Sequence, residues 1–276
     1  MQAQFEIVAG SVTGTQHQRV GKNNQDAYYS LLSEQAAIAV VCDGCGSGQH
    51  SEVGAKIGAR LVVETLWRAI SSPTPHPPLL NWETVQQDLL TQLQALIQAM
   101  GENWQQTVSN YFLFTIVGAI ITPSDVSIFS LGDGLILLNG QLISIGPFPG
   151  NAPPYLAYNL LNPKSNQWQF QLHKQMNIDE AESIIIGTDG VNDLIAATGR
   201  TLPGKNIPIP PIHQFLEDRY FQNPDLLRRQ LTLMNREVTK PNWQEHHLIK
   251  ETGLLPDDTT LIIIRKQSNS KIKNPA

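Results

Sequence analysis

The stretch "AAIAVVCDGCGSGQHSEVGAK", residues 36–56, contains the change of pattern that decides the fold. Apolar and small residues run without a break up to Asp43-Gly44 and predict a buried strand that ends abruptly there. A glycine-rich turn follows, and from about Ser51 to Ile70 the apolar residues recur at helical spacing. Small residues on this helix predict that it packs closely on a sheet: Gly54, Ala55, Gly58 and Ala59.

Outward from this stretch, strand and helix patterns continue along the chain. "FEIVAGSVTG" precedes it as a strand, and a second helix is predicted over about Trp82–Gln106. Four short strand-like runs within residues 111–145 are separated by turn signals and predict an antiparallel meander. The runs "WQFQLHK", "AESIIIGTD" and "TLIIIRK" predict further strands, and "VNDLIAA" and "NPDLLRRQLTLMNREV" predict helices. This order indicates antiparallel sheets in the middle with helices outside.

Composition limits the function classes. The chain has 276 residues, of which 41% are hydrophobic and 16% charged, as in a packed globular protein. Its net charge of −5 gives no electrostatic reason to expect binding to nucleic acid or to an anionic membrane. No run is apolar enough to span a membrane and no signal peptide is visible, so we expect a cytoplasmic protein. We expect one domain over residues 1–266 and a frayed tail over residues 267–276.

Acidic residues recur at the ends of buried strands. Asp43, Asp133 and Asp189 each follow an apolar run and precede glycine, and Asp257-Asp258 comes just before the last strand. Each pair alone is an ordinary turn signal. Four such sites can converge at strand ends, where a carboxylate cluster without Lys or Arg repels itself. A divalent cation removes that repulsion, and these oxygen ligands suit Mg²⁺ or Mn²⁺.

Other motifs compete for the same residues. Cys42-x-x-Cys45 could form a redox pair, but it straddles a strand end rather than opening a helix. A structural zinc site would need a second ligand cluster, which is absent from the sequence. "GTDGVNDL" is similar to the Mg²⁺ loop of haloacid-dehalogenase phosphatases, but no Asp-x-Asp nucleophile lies upstream. Tyr155 and Tyr158, in the irregular stretch 146–167, either line a substrate groove or pack on the sheets.

Taken together, the motifs resemble those of the metal-dependent type 2C protein phosphatases. The matching pieces are "RVGKNNQDA", "VVCDGCGSG", "LGDG", "GTDGVNDL" and "PDDTTLIII", and the resemblance extends from about Gly10 to Arg265. It implies an α+β fold, a four-layer αββα sandwich of two antiparallel sheets flanked by helices. It also implies hydrolysis of phosphoserine or phosphothreonine by a water that bridges two Mn²⁺ or Mg²⁺ ions.

The resemblance also assigns metal ligands. Asp43 would bridge both ions, with the carbonyl of Gly44 assisting one of them. Asp189 and Asp257 would complete the shell of the first ion. A weaker third ion would be held at two further positions, Asp133 and Asp193.

The remaining roles depend on positions where the chain departs from the family pattern. Asp26 would orient metal-bound water. Gln25 replaces the glutamate that binds the second ion, so that ion should bind more weakly. Gly21 occupies the usual place of the phosphate-binding arginine, and Arg19 or Lys22 would substitute for it. Cys45 stands where many eukaryotic members have a histidine that acts as a candidate acid. The chain fits a divergent bacterial branch at three positions: His17, Gly21 and Gln25.

Two functions follow from this comparison. The first is a serine/threonine phosphoprotein phosphatase of cellular signalling, whose partners would be phosphoproteins and a cognate kinase. The second is a catalytically weak or inactive relative that serves as a binding or regulatory module. The complete Asp43, Asp189 and Asp257 set favours the enzyme, whereas Gln25 and Cys45 favour the module.

Overall fold

The computed structural model describes residue 1 and residues 4–71, 80–101, 103–146, 148–162 and 167–267. The strands in this part of the chain are β1 Phe5–Val12, β2 Asp26–Leu32, β3 Ala37–Asp43, β4 Ile116–Ile121, β5 Asp125–Leu131, β6 Gly134–Leu138, β7 Gln141–Ile145, β8 Gln171–Asn177, β9 Ser183–Gly187, β10 Val238–Asn242, β11 His247–Glu251 and β12 Thr259–Lys266.

The α-helices of the same residues lie between these strands. They are α1 Thr15–Val20, α2 Ser51–Ser71, α3 Trp82–Met100, α4 Trp104–Tyr111, α5 Tyr158–Leu161, α6 Val191–Ala196, α7 Asp218–Gln222 and α8 Asp225–Met234. Short 3-10 turns occupy Pro149–Asn151, Ile178–Glu180 and Ile212–Leu216.

Two five-stranded sheets form the centre of the fold. The first has the order β1-β12-β9-β6-β7 and the second the order β2-β3-β4-β5-β8, and all their pairings are antiparallel. The sheets pack face to face, with α2, α3 and α4 outside the second sheet and α6, α7 and α8 outside the first. The predicted αββα sandwich is confirmed.

Three apolar layers hold the sandwich together. The inner layer joins the two sheets through residues such as Val41, Val117, Ile186 and Ile262, all almost fully buried. The outer layers lie between each sheet and its helices. Because β3 is covered on both faces, its side chains are apolar at every position up to Asp43, as the uninterrupted run predicted.

The small residues of α2 do allow close packing. A Cβ added at Gly54 would lie 1.5 Å from the carbonyl oxygen of Tyr111, and one at Gly58 would lie 2.2 Å from the Phe114 ring. A larger residue at either position would push the helix off its neighbours, which would shift the turn that follows Asp43.

The predicted meander of residues 111–145 is wrong as a single unit. β4 and β5 form a hairpin in the second sheet, whereas β6 and β7 form one in the first sheet. The chain crosses between sheets at Gly132-Asp133-Gly134, where the glycines have φ of 104° and 141°. These conformations are open to glycine and strained for other residues, so this turn redirects the chain and leaves Asp133 at the crossing.

Other element boundaries differ from the prediction. The second helix ends at Met100, because Gly101 adopts a left-handed conformation (φ 71°), and α4 begins separately at Trp104. The elements that were not predicted are the short helices α1, α5 and α7, the strand β2 and the β10–β11 pair. The outer residues of β2 are partly exposed, and β10–β11 is exposed along most of its length, so neither shows a strong apolar pattern.

Among the described residues, no helix is long and apolar enough to cross a membrane. The predicted tail, apart from Gln267, lies outside the described residues. The division into residues 1–266 and a tail stays a prediction.

Candidate active site

Carboxylates from both sheets meet at one end of the sandwich. Asp26 begins β2 and Asp43 ends β3, and the two residues are direct partners in the antiparallel register. In the first sheet, Asp189 follows β9, and Asp257 precedes β12, the strand next to β9. Like charges directly opposite on neighbouring strands destabilise a sheet, so this arrangement costs stability unless something compensates it.

A cavity of about 360 Å³ opens where these strand ends meet. The predicted site residues that line it are Gln25, Asp43, Gly44, Asp133, Asp189 and Asp257. Asp26 lies behind this lining. Asp193, in the first turn of α6, is near Asp189 but outside the lining, and so is the exposed Arg19. The structure therefore brings six of the nine predicted residues to one cavity.

Asp26 is fixed beneath the cavity. It is 4% exposed, and its Oδ2 accepts a hydrogen bond from Thr188 Oγ1 at 2.7 Å. Burial, and to a lesser extent the charges of Asp258 and Asp189, raise the pKa of Asp26 well above its ordinary value. The Thr188 bond orients the carboxyl group without neutralising it.

Asp43 and Asp189 come within hydrogen-bonding reach of each other. Burial raises the pKa of Asp43 well above its ordinary range, and the neighbouring Asp26, Asp189 and Asp257 raise it further. Without a cation, this group is therefore driven toward the protonated form, which removes part of the repulsion.

The carboxylates at the cavity wall respond in the same direction. Burial, followed by the charge of Asp189, raises the pKa of Asp133 to about 6. The same two causes raise the pKa values of Asp193 and Asp257. Mutual repulsion among carboxylates around a cavity favours the binding of cations there.

Three buried oxygen atoms of this region have no hydrogen-bond partner: Gln25 Oε1, Asp26 Oδ1 and Asp189 Oδ1. No other buried side-chain nitrogen or oxygen in the described part of the chain is left in that state. A buried acceptor without a partner costs about 1–3 kcal/mol. Carboxylate and amide oxygens are also the ligands that Mg²⁺ and Mn²⁺ prefer, so the donor set fits a hard divalent cation.

The ligands do not form a closed cage. Within the described residues, no three His, Cys, Asp or Glu side chains stand close enough together to hold a metal ion by themselves. The set instead surrounds a cavity and includes an amide and backbone carbonyls, which suits ions that keep several water ligands.

Gln25 is held in a fixed orientation. Its side chain is 4% exposed, and its Nε2 donates to Ser51 Oγ at 2.6 Å and to the Gly48 carbonyl at 3.4 Å. Because the amide nitrogen is bound on one side, Oε1 is left as the free acceptor. Gln25 lines the cavity, and its role as a neutral metal ligand stays a prediction.

Gly44 supplies backbone rather than a side chain. A Cβ at this position would lie 2.8 Å from the Gln25 carbonyl oxygen and 2.9 Å from the Ser51 backbone. Its N–H donates to that Gln25 carbonyl at 3.1 Å, which ties the strand end to the turn before β2. Only glycine fits between these two backbone segments.

The two cysteines lie in different surroundings, one buried and one at the cavity. Cys42 is fully buried in the apolar layer beneath α2, and this burial raises the pKa of its thiol. It forms no disulfide bond with Cys45. Cys45 lines the cavity, with its Sγ 3.2 Å from Ser47 Oγ and in hydrogen-bonding contact with Tyr155. Tyr155 also lines the cavity and packs edge-on against Tyr158, so it both packs and faces the site.

Asp258 is a site residue whose role the sequence did not indicate. It is 3% exposed and accepts hydrogen bonds from Gly14 N (2.7 Å), His17 Nδ1 (2.8 Å) and Gln25 N (2.6 Å). It therefore anchors the turn that carries Gln25 to the segment that carries Asp257. The sequence showed only the pair Asp257-Asp258, which does not indicate which of the two would bind metal and which holds the backbone in place.

A lysine side chain reaches the rim of the cavity. Lys22 Nζ donates to the Gly46 carbonyl at 3.0 Å, and Gly46 lines the cavity. In the described part of the chain, the Arg19 side chain makes no hydrogen bond or ion pair. The phosphate-binding role of Arg19 stays a prediction.

The αββα sandwich with an acidic cavity at its strand ends is the α+β architecture that the motif resemblance implied. A family model described as Protein phosphatase 2C matches residues 13–226, which is most of the chain. The chain belongs to the protein phosphatase 2C family, as the motifs predicted. A comparison with curated protein sequences finds no match.

Solved structures share this fold at low sequence identity. A bacterial serine phosphatase is 14% identical, with a TM-score of 0.53 over 96% of this chain and 99% of that one. The serine/threonine phosphatase Stp1 of Staphylococcus aureus is 14% identical, with a TM-score of 0.51 over 96% of each chain. The Mycobacterium tuberculosis serine/threonine phosphatase PstP/Ppp is 13% identical, with a TM-score of 0.51 over 96% of this chain and all of that one.

Proposed function

We propose that the chain is a metal-dependent serine/threonine phosphoprotein phosphatase. The observation that carries this proposal is the set of three partnerless buried oxygens beside the acidic cavity: Gln25 Oε1, Asp26 Oδ1 and Asp189 Oδ1. Protein interiors rarely leave such groups unpaired, so their concentration at one site favours binding of a cation and its water ligands there. Family membership and the solved serine/threonine phosphatases support the same substrate class.

Residues of both sheets would hold two Mn²⁺ or Mg²⁺ ions. Asp43, Asp189 and Asp257 would hold the first partly through its water ligands, since no three such side chains of the described residues stand close enough to hold an ion by themselves. Asp43 and Gln25 with the Gly44 carbonyl would hold the second, and Asp133 with Asp193 would hold a weaker third ion. When bound there, divalent ions lower the pKa of water and neutralise phosphoryl oxygens.

The chain's own residues provide orientation and proton acceptance. Asp26 is fixed through Oδ2 by Thr188 and has no partner at Oδ1, so this oxygen could accept a hydrogen bond from an attacking water. Lys22, at the cavity rim, would bind substrate phosphate, with Arg19 as the further cation. The step is a direct in-line transfer to water, so no residue of the chain carries the phosphoryl group.

The partners we propose are proteins that carry phosphoserine or phosphothreonine, together with a kinase that phosphorylates them. A second candidate function is a weakly active binding module. It is favoured by the neutral Gln25 among the candidate ligands and by a cavity lining that, among the described residues, includes no Lys or Arg.

Replacement of Asp43 by Asn tests the proposal. We expect Mn²⁺-dependent hydrolysis of p-nitrophenyl phosphate and of a phosphothreonine peptide to fall by at least about a hundredfold, because a bridging charge is lost. Asp179→Asn is the matched control, since Asp179 is 90% exposed and remote from the cavity.

The outcomes separate the two functions. Undiminished activity in Asp43→Asn would show that the site is wrong. Wild-type protein that binds Mn²⁺ but shows no EDTA-sensitive turnover would favour the binding module instead.

A further inference from the structure

A second cavity, of about 470 Å³, lies between the loop 199–209 and the β10–β11 pair. The loop is closed by its own backbone bonds, with Gly199 N donating to the Ile209 carbonyl and Ile209 N to the Arg200 carbonyl, both at 2.8 Å. Its tip is tied to the strand pair, because Gly204 N donates to Glu251 Oε2 at 2.6 Å. This cavity shares no lining residue with the acidic one.

The charge of this cavity is opposite to that of the chain. Its lining contains Arg200, Lys205 and Lys240 but only one carboxylate, Glu251. Both oxygens of Glu251 are engaged, one by Gly204 N and the other by Lys240 Nζ at 3.0 Å. These two bonds, that of Gly204 first, lower the pKa of Glu251, so it stays ionised. In the described part of the chain, Arg200 and Lys205 have no side-chain partner.

A smaller cavity of about 200 Å³ adjoins the first. It shares Lys205 and Pro203 with the larger cavity and adds Arg236, whose side chain also makes no ion pair or hydrogen bond among the described residues. Leu233 and Val238 supply apolar surface beside these cations. An extended group with several negative charges and some apolar surface fits this surface better than a single small anion does.

We propose that these two cavities, lined by Arg200, Lys205 and Arg236, bind an acidic segment of a partner protein through its Asp or Glu side chains. Carboxylates pair with Arg through two parallel hydrogen bonds and with Lys as a point charge. Nucleic acid is the less favoured ligand, because its binding depends on many phosphate contacts, whereas this surface offers three unpaired cations. The inference does not depend on the proposed phosphatase activity.

The position of the surface suggests its use. Leu254 lines the larger cavity, and Asp257, three residues later, lines the acidic one. Between them, the Leu255 N–H donates to Asn235 Oδ1 at 3.1 Å, and its carbonyl accepts from Thr15 N at 3.0 Å. A partner held by the basic surface is therefore bound to the same segment that positions Asp257.

Binding of a fluorescein-labelled oligoglutamate peptide tests the proposal. Fluorescence anisotropy is measured at low ionic strength in EDTA, so that no metal at the acidic cavity can capture the peptide. The test variant is Arg200→Gln with Lys205→Gln. The control is Lys56→Gln with Lys174→Gln, which removes the same charge from exposed positions elsewhere.

We expect the test variant to bind the peptide at least about tenfold more weakly, because two charge-assisted contacts are lost, and the control to stay near wild type. Equal weakening in both variants would overturn the proposal, since net charge alone would then explain binding. No binding to wild type, or tighter binding of double-stranded DNA than of the peptide, would also overturn it. Hydrolysis of p-nitrophenyl phosphate should be unchanged in the test variant.

Discussion

Replacement of Gln25 by Glu should lower the stability of the metal-free protein and increase its affinity for Mn²⁺. Gln25 is 4% exposed, and its amide nitrogen donates to Ser51 Oγ while its oxygen has no partner. A glutamate has the same shape. It adds a negative charge next to Asp26 and Asp43, where the pKa values of both carboxyl groups are already raised by burial.

The cost in the metal-free state has an upper limit. If the new carboxylate cannot be accommodated, it takes up a proton and becomes a close isostere of glutamine. Protonation at pH 7 from an ordinary pKa of about 4.3 costs about 3.7 kcal/mol. Because the site is buried and already acidic, we expect a loss in the free energy of unfolding of about 2–4 kcal/mol in EDTA.

With Mn²⁺ present the effect should reverse in part. A charged oxygen in place of a neutral one should tighten metal binding by about tenfold to a hundredfold. At saturating metal, each tenfold gain in affinity returns about 1.4 kcal/mol to the folded state. The stability gap between variant and wild type should therefore narrow by about 1–3 kcal/mol.

Urea unfolding in EDTA and in Mn²⁺, with calorimetric titration of Mn²⁺, measures both quantities. The matched control is Gln16→Glu, because Gln16 lines the same cavity but is exposed. It should change stability by less than about 0.5 kcal/mol. If Gln25→Glu binds Mn²⁺ no more tightly than Gln16→Glu does, the free oxygen of Gln25 does not face a metal and the reasoning fails.

Asp133 has a folded pKa of about 6 against an ordinary 3.8, so its stabilising contribution is present at low pH and is lost as the pH rises through about 6. The free energy of unfolding of Asp133→Asn, measured in urea with EDTA, should therefore rise relative to that of wild type by about 1 kcal/mol between pH 5 and pH 7.5, after allowance for solvent screening. A difference that does not change with pH would contradict this. Asp258→Asn should lower the free energy of unfolding by about 2–4 kcal/mol, because the amide cannot accept all three buried hydrogen bonds, and a loss below 1 kcal/mol would count against the anchor. Arg265→Ala should lower the free energy of unfolding by about 2–3 kcal/mol, because the guanidinium lies 3.9 Å from the Phe221 ring centroid and pairs with two carboxylates. Arg229 is exposed, so Arg229→Ala should lower it by less than about 0.5 kcal/mol. Equal losses in the two variants would refute the distinction.

The elements that sequence could predict are those whose pattern is local. The buried run ending at Asp43 and the small-residue helix after it gave a strand and helix close to the observed β3 and α2. The Asn139-Gly140 turn likewise has positive φ at both positions, as its hairpin requires. The division of residues 111–145 between two sheets could not be read in this way, because a glycine turn within one sheet and a crossing between sheets have the same letters.

The residues of the site differ in the same way, because some could be predicted from local sequence and others could not. Strand-end aspartates were visible because an abrupt change from apolar residues to Asp-Gly is a local signal. The anchoring role of Asp258 was not visible, because its three donors are 233 to 244 residues away in sequence. Lys22 gained support over Arg19 only when its bond to the Gly46 carbonyl placed it at the rim of the cavity. Contacts that depend on the tertiary fold leave no periodic trace in the sequence.

The place of β12 has a consequence for protein synthesis. This strand lies between β1 and β9, and it is preceded by Asp257, so its arrival completes both the first sheet and the carboxylate set. Because the ribosome delivers the chain from its amino end, β12 emerges after every other strand described. A nascent chain therefore holds Asp26 and Asp43 long before it holds Asp257, and neither the first sheet nor the carboxylate set can be complete until residue 266 has left the ribosome.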